Sequence, residues 1–273
     1  MSSNTDTSAS TAASGGSTAP AAAGGEHTAY LLGLGDDALI YSHRLAEWLT
    51  WAPMLEEDMA LANISLDLIG QARSIYTYVG SIDGTNRSED DLAYWRDERE
   101  FHNVHLVEQR RGDFGQEMAR MLWFAAYHRA LYAALSGSAD AQLRAIAVKA
   151  LKEVRYHFDH AAQWVVRLGD GTDESKARMP EALAWVTPYV AELFSDDAAS
   201  VAAADAGVGV LPSSLQPQAA SAVADVLREA TLETPSDSRW HARGGREGVH
   251  SEPMGYLLAE MQHLPRSHPG ATW

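Results

Sequence analysis

Leu66-Asp67-Leu68-Ile69-Gly70-Gln71-Ala72 and Lys152-Glu153-Val154-Arg155-Tyr156-His157-Phe158 are the two stretches whose reading decides the fold. A carboxylate-bridged di-metal bundle takes one Glu from each of two helices and a Glu-x-x-His pair from each of two others. The i, i+3 spacing sets both side chains of a pair on the inward face. Set against the Asp-Glu-x-x-His form of that motif, Leu68 and Val154 stand where the two carboxylates would be, and Gln71 replaces one histidine. Only His157 survives. The residues describe the frame of a metal-binding bundle from which the ligands are gone.

Outward from these stretches the helical pattern extends in both directions. Leu31, Leu34, Leu39, Leu45, Trp48 and Leu49 recur at helical spacing from Thr28 to Thr50, and the run stops at Trp51-Ala52-Pro53. Pro53 suits a helix start, so a second helix is expected from Met54 to about Val79, antiparallel to the first. A short helix with acids in its first turn begins near Ser88 and continues into Phe101 to Glu108. A second hairpin follows, from Phe114 to Leu135 and from Asp140 to Leu168, broken at Ser136-Gly137-Ser138. Further helices are expected over Ser175 to Phe194 and Leu215 to Leu232. Strand signals are nearly absent. The expected fold is all-α: a four-helix bundle of two long helical hairpins with extra C-terminal helices.

Composition narrows the classes of function. The 273 residues carry a formal net charge of −16, which argues against nucleic acid or an anionic membrane as a partner, since both need a positive footprint. The chain has no cysteine, which removes disulfides, thiolate metal sites and thiol catalysis and fits a cytoplasmic location. No apolar run approaches the ~20 residues of a membrane span. Residues 1–25, rich in Ser, Thr, Ala and Gly, are expected to form a disordered tail, and residues 26–273 a single helical domain.

The bundle centre offers few ligands. Folding the second hairpin about Gly137 and Ser138 sets Val154 near Leu122 and Trp123, and no Asp or Glu occurs between Glu117 and Asp140. Folding the first sets Leu68 near Asp36 and Asp37. A residual site would hold His157 with Glu153 or Asp37, too few ligands for a di-iron centre. The plainer expectation is a hydrogen-bonded buried His157, with Asn63, Asp67, Gln71, Glu153, Arg155 and His157 as a candidate polar network in place of metal. His43, His102, His105 and His128 show no Glu-x-x-His pairing and are expected as surface or core residues. Between Ser238 and Glu252, Arg239, Arg243, Arg246 and His250 gather around Gly244-Gly245 and are candidate contacts for an anion or an acidic partner.

Five stretches together resemble a known family: Leu45 to Pro53, Leu61 to Arg73, Arg96 to Arg99, Ala150 to His157 and Leu258 to Gln262. They look like the non-catalytic structural subunit of the ring-1,2-phenylacetyl-CoA epoxidase (phenylacetate-CoA oxygenase) family, over about Tyr30 to Trp273. The resemblance implies a ferritin-like fold and a partnership with a catalytic subunit holding the di-iron centre and the CoA thioester. It also implies small coupling subunits, and a separate reductase with NADPH, flavin and iron-sulfur groups. The reaction implied is O2-dependent epoxidation of the aromatic ring of phenylacetyl-CoA in aerobic phenylacetate degradation. It carries no catalytic, cofactor or metal residue over to this chain, and it predicts a large apolar helical face for the catalytic partner. Two other readings stay open on the residues: an active oxygenase or oxidase with an unusual metal site near His157, or a CoA-ester-binding module built on the Arg243 to Arg246 loop.

Overall fold

The computed structural model describes Met1 and residues 19–271, with side chains from Gly25 onward; 2–18 and the last two residues lie outside the described residues. Most of the expected tail therefore lies outside them, while its last residues form the start of the first helix.

Four long helices make the body: α1 (Ala19–Ala46), α2 (Leu55–Ile82), α5 (Phe114–Leu135) and α6 (Ala141–Gly169). Between the pairs lie α3 (Glu89–Tyr94) and α4 (His105–Glu108), and after them α7 (Asp173–Val190), α8 (Ala198–Asp205), α9 (Pro212–Glu229) and α10 (Glu252–Ser267). Among the described residues there is no strand, and the architecture is an all-helical bundle of the ferritin-like kind.

Local chemistry starts and stops these helices. Glu56, Glu57 and Asp58 load the first turn of α2, where carboxylates favour the positive end of the helix dipole. Asp113 and Gln116 close a reciprocal capping box on α5, and Asp140 accepts the Gln142 and Leu143 amides at the head of α6. The helix expected from Ser88 through Glu108 is instead interrupted after Tyr94. Arg96 folds back there to donate to the Leu92 and Glu100 carbonyls, which replaces the helical hydrogen bonds. Gly80 makes the crossing after α2 possible: a Cβ there would sit 1.9 Å from the Arg87 carbonyl oxygen.

Cross-helix bonds set the directions. On α1 and α2, Ser42 meets Ser65 and Asp36 meets Tyr76, so the pair is antiparallel. On α2 and α6, Gln71 meets Glu153 and Asp67 meets His157, antiparallel again. Tyr41 of α1 and Trp48, in the turn that follows it, reach Glu117 of α5, each at 2.8 Å, and close the bundle. Its core is apolar along almost its whole length, with Leu45, Leu61, Leu68, Ile75, Leu122, Leu143, Val154 and Val165 all buried. Complete burial of such side chains contributes about 1.5 to 3 kcal/mol each.

Candidate functional site

Leu68 and Val154, which the sequence reading sets at carboxylate positions of a di-metal bundle, lie on the inward faces of α2 and α6 with 1% and 0% of their surface exposed and belong to the apolar core. Gln71 and His157, one turn further along each helix, are also buried, and each is tied across the α2–α6 seam. Gln71 donates to Glu153 at 3.0 Å, and His157 Nε2 lies 3.0 Å from Asp67 Oδ2. A third cross-pair, His160 Nε2 to Glu57 Oε2 at 3.2 Å, continues the row, and burial holds His160 below the usual histidine range. Asn63 and Arg155, which the sequence suggests for the same network, are exposed and stand outside it. Arg73, further along α2, pairs with Glu89 at 3.0 Å.

From α5 the centre receives His128, a residue that sequence reasoning places only as an ordinary histidine. It is 1% exposed and packed against Phe124 at 4.0 Å and Tyr132 at 5.3 Å between ring centroids. The Arg129 guanidinium lies 3.8 Å from the Phe158 ring centre, which brings the preceding residues, His128 and His157, to the same level of the hairpin. Burial pushes His128 down to about 3, and the neighbouring His157 adds to the effect. Neither ring nitrogen of His128 has a hydrogen-bond partner among the described residues, nor has the Tyr132 hydroxyl or the Gln71 carbonyl oxygen.

A neutral, unpaired buried imidazole is a cost the fold carries. Replacing His128 with leucine, similar in volume, is expected to stabilise the protein by about 1 to 2 kcal/mol at pH 8. The sign of the pH effect follows from the lowered value. Unfolded chains take up a proton near 6.5 while the native state stays neutral to about 3, so wild-type stability falls as pH drops below 6.5. The advantage of His128→Leu should therefore grow as pH falls below 6.5, with a slope that approaches about 1.4 kcal/mol per pH unit toward pH 5, as read by urea denaturation.

Asp36 and Asp37, the acids expected opposite Leu68, turn away from the centre. Asp36 accepts from Tyr76, from Arg96 and from the His102 amide at 2.7 Å. Asp37 accepts from the Val104 amide at 2.9 Å and from Arg246 Nη2 at 2.6 Å. Burial raises Asp37 to about 6 against the opposing pull of Arg246. The three acids or bases suggested for a residual metal site thus have separate partners: His157 with Asp67, Glu153 with Gln71, Asp37 with Arg246. No three His, Asp or Glu side chains converge to hold a metal ion among the described residues. A di-iron centre does not fit these residues, because two of its carboxylate positions carry no oxygen atom and a third ligand position carries an amide.

The 233–251 segment also departs from expectation. It lies over the bundle as a strap, and two of its four candidate anion contacts face inward. Besides Asp37, the Arg246 guanidinium satisfies the Gly33 and His102 carbonyls at 2.9 and 2.8 Å. His250 sits between Glu108 Oε2 and the Phe101 carbonyl, both at 2.9 Å. An acceptor lies on each nitrogen of His250; burial pushes its pKa down, but the Glu108 hydrogen bond and charge raise it above the usual histidine range and favour the imidazolium. Glu192 fixes the strap's glycine turn by accepting from the Gly245 amide and from His105. A Cβ on Gly245 would lie 2.3 Å from the Asn103 carbonyl oxygen, so the close approach needs glycine. The expected anion role for Arg246 and His250 gives way to an internal one, because buried Asp37 and Glu108 require compensation. Arg239 and Arg243 are exposed.

Comparison with known proteins follows the same lines. No helix among the described residues is long and apolar enough to cross a membrane. The chain is 45% identical over 246 residues, 90% of its length and 98% of the relative's, to one of the subunits of the 1,2-phenylacetyl-CoA epoxidase of Escherichia coli (strain K12). Residues 10–273 match the profile described as phenylacetic acid catabolic protein, a span that includes every helix of the bundle and the strap. The chain belongs to the phenylacetic acid catabolic protein family.

Proposed function

We propose that this chain is the structural, metal-free subunit of a multicomponent di-iron oxygenase that epoxidises the aromatic ring of phenylacetyl-CoA, and that it stabilises the catalytic subunit. The observation that carries the reading is the replacement of ligand positions by core residues. Leu68 and Val154 are buried apolar side chains where a di-metal bundle needs carboxylates. Buried carboxylates without metal would be costly, so apolar replacements suit a subunit kept for its shape. The similarity to a phenylacetyl-CoA epoxidase subunit supports this reaction and assembly. In this reading the iron, the CoA ester and the electron-delivery groups belong to other subunits, in the cytoplasm.

The active-oxygenase alternative gains no support from the pairings of His157, Glu153 and Asp37, which point to three different neighbours. The CoA-ester module built on the Arg243 to Arg246 loop loses its central arginine to Asp37. A substitution separates the scaffold from an active site. His157→Gln, assembled into the complete complex, is expected to leave turnover of phenylacetyl-CoA within about twofold of wild type. Loss of a general acid or base typically costs on the order of 100-fold or more, and such a loss would contradict the scaffold reading.

A further inference from the structure

Leu55, Met59, Ala62, Leu66 and Ile69 follow one another on α2 at intervals of four, three, four and three residues. At 3.6 residues per turn these positions stay within an arc of about 80°, and the alternation is that of a coiled-coil seam. The other side of the same helix, through Leu61, Ile64, Leu68 and Ile75, fills the bundle core. The outer stripe is uncovered among the described residues: Leu55 is 70%, Met59 60%, Leu66 63% and Ile69 40% exposed. Trp51, 67% exposed, stands just ahead of it. Single exposed apolar side chains are ordinary, but a row of four in helical register is a surface built to be covered.

We propose that this outer face of α2 is the seam on which a helix of the catalytic subunit docks, a helix with apolar residues at matching spacing and Lys or Arg on its flanks. The inference rests on the subunit reading above. A helix is specified because a three-four repeat offers holes only to knobs with the same repeat. Basic flanks are specified by charge: Glu56, Asp58 and Asp67 border the stripe, with Arg73 at its far end already paired to Glu89. A second copy of this chain fits poorly. Antiparallel pairing that stacks Met59 on Leu66 sets Asp58 beside Asp67 of the copy, and parallel pairing sets each acid against itself. The net charge of −16 opposes self-association further.

The test uses the full chain carrying Leu66→Asp together with Ile69→Asp, titrated with the catalytic subunit by calorimetry. Val201→Asp, on the exposed surface of α8, serves as the off-seam control. Both variants should keep the helical circular dichroism and melting temperature of wild type, since none of these side chains is buried. The seam variant is expected to bind at least about 100-fold more weakly, as for central interface residues, and the control to bind as wild type does. Equal binding by the seam variant, or equal weakening by the control, overturns the seam and leaves the subunit reading standing. Failure of the wild-type chain to bind overturns both. Loss of a homodimer in the seam variant with the heterocomplex intact overturns the assignment by making a second copy the occupant.

Discussion

Replacing Arg246 with methionine is expected to destabilise the protein by about 3 to 5 kcal/mol at pH 7.5, the usual cost of leaving a buried charge without its partner. Asp37 has no solvent-exposed surface and already sits near 6 because burial outweighs the arginine's attraction. Without Arg246 its carboxyl should rise further. A raised folded-state value means that the native protein holds its proton more tightly than the unfolded chain. Stability tied to Asp37 is then complete below the unfolded value near 3.8 and is lost as pH rises through the folded one. The deficit of Arg246→Met relative to wild type should therefore shrink on acidification from pH 7.5 to 5. Adding Asp37→Asn should recover most of it, because the amide can still accept from the Val104 amide without a charge. Denaturant titrations of the single and double variants at both pH values measure this. A pH-independent deficit, unrelieved by Asp37→Asn, would mean that Arg246 matters through its carbonyl contacts rather than its charge.

Placing a carboxyl in the core of α6 should be harmful. Val154→Glu puts a carboxyl into a fully buried apolar position, and the nearest basic groups give it little help: His157 is engaged by Asp67, and His128 is held neutral. We expect a loss of about 3 kcal/mol or more at pH 7.5 from desolvation. Val154→Gln, similar in size, separates overpacking from charge. A buried Glu can rise to about 8 or 9, so the Glu variant should match the Gln variant near pH 5 and fall progressively below it toward pH 9. Equal stability of the two at pH 9 would show that the bundle centre tolerates charge, contrary to an apolar core around Val154.

The all-helical fold and its four long helices were legible in the sequence because long amphipathic helices, Pro53 and the Ser136-Gly137-Ser138 break announce themselves through periodicity and turn chemistry. The apolar identity of Leu68 and Val154 was legible for the same reason. Less legible was what depends on distant pairing. Nothing local in Asp37 or Arg246 says that they meet across 209 residues, and the strap's clustered Arg and His residues read equally well as an external anion site. His128 carries no motif, but a signal existed: in α5 it lies on the same face as buried Phe124 and Tyr132, four residues to either side. The two missed helices had weak marks. α8 is a short alanine-rich piece started by Asp197, and α10 begins with Ser251, Glu252 and Pro253 directly after a glycine-rich loop. Pro at the first turn of a helix is a start signal that the preceding loop chemistry obscured.

If the metal of this system lies outside this chain, the most direct test is metal content. Iron and manganese would be measured in the chain purified alone and in the chain co-purified with the catalytic subunit, each normalised to protein. The scaffold reading predicts essentially no bound metal in the isolated chain, and metal in the complex in proportion to the catalytic subunit. Near-stoichiometric iron or manganese in the isolated chain, lost on replacing His157, would contradict it.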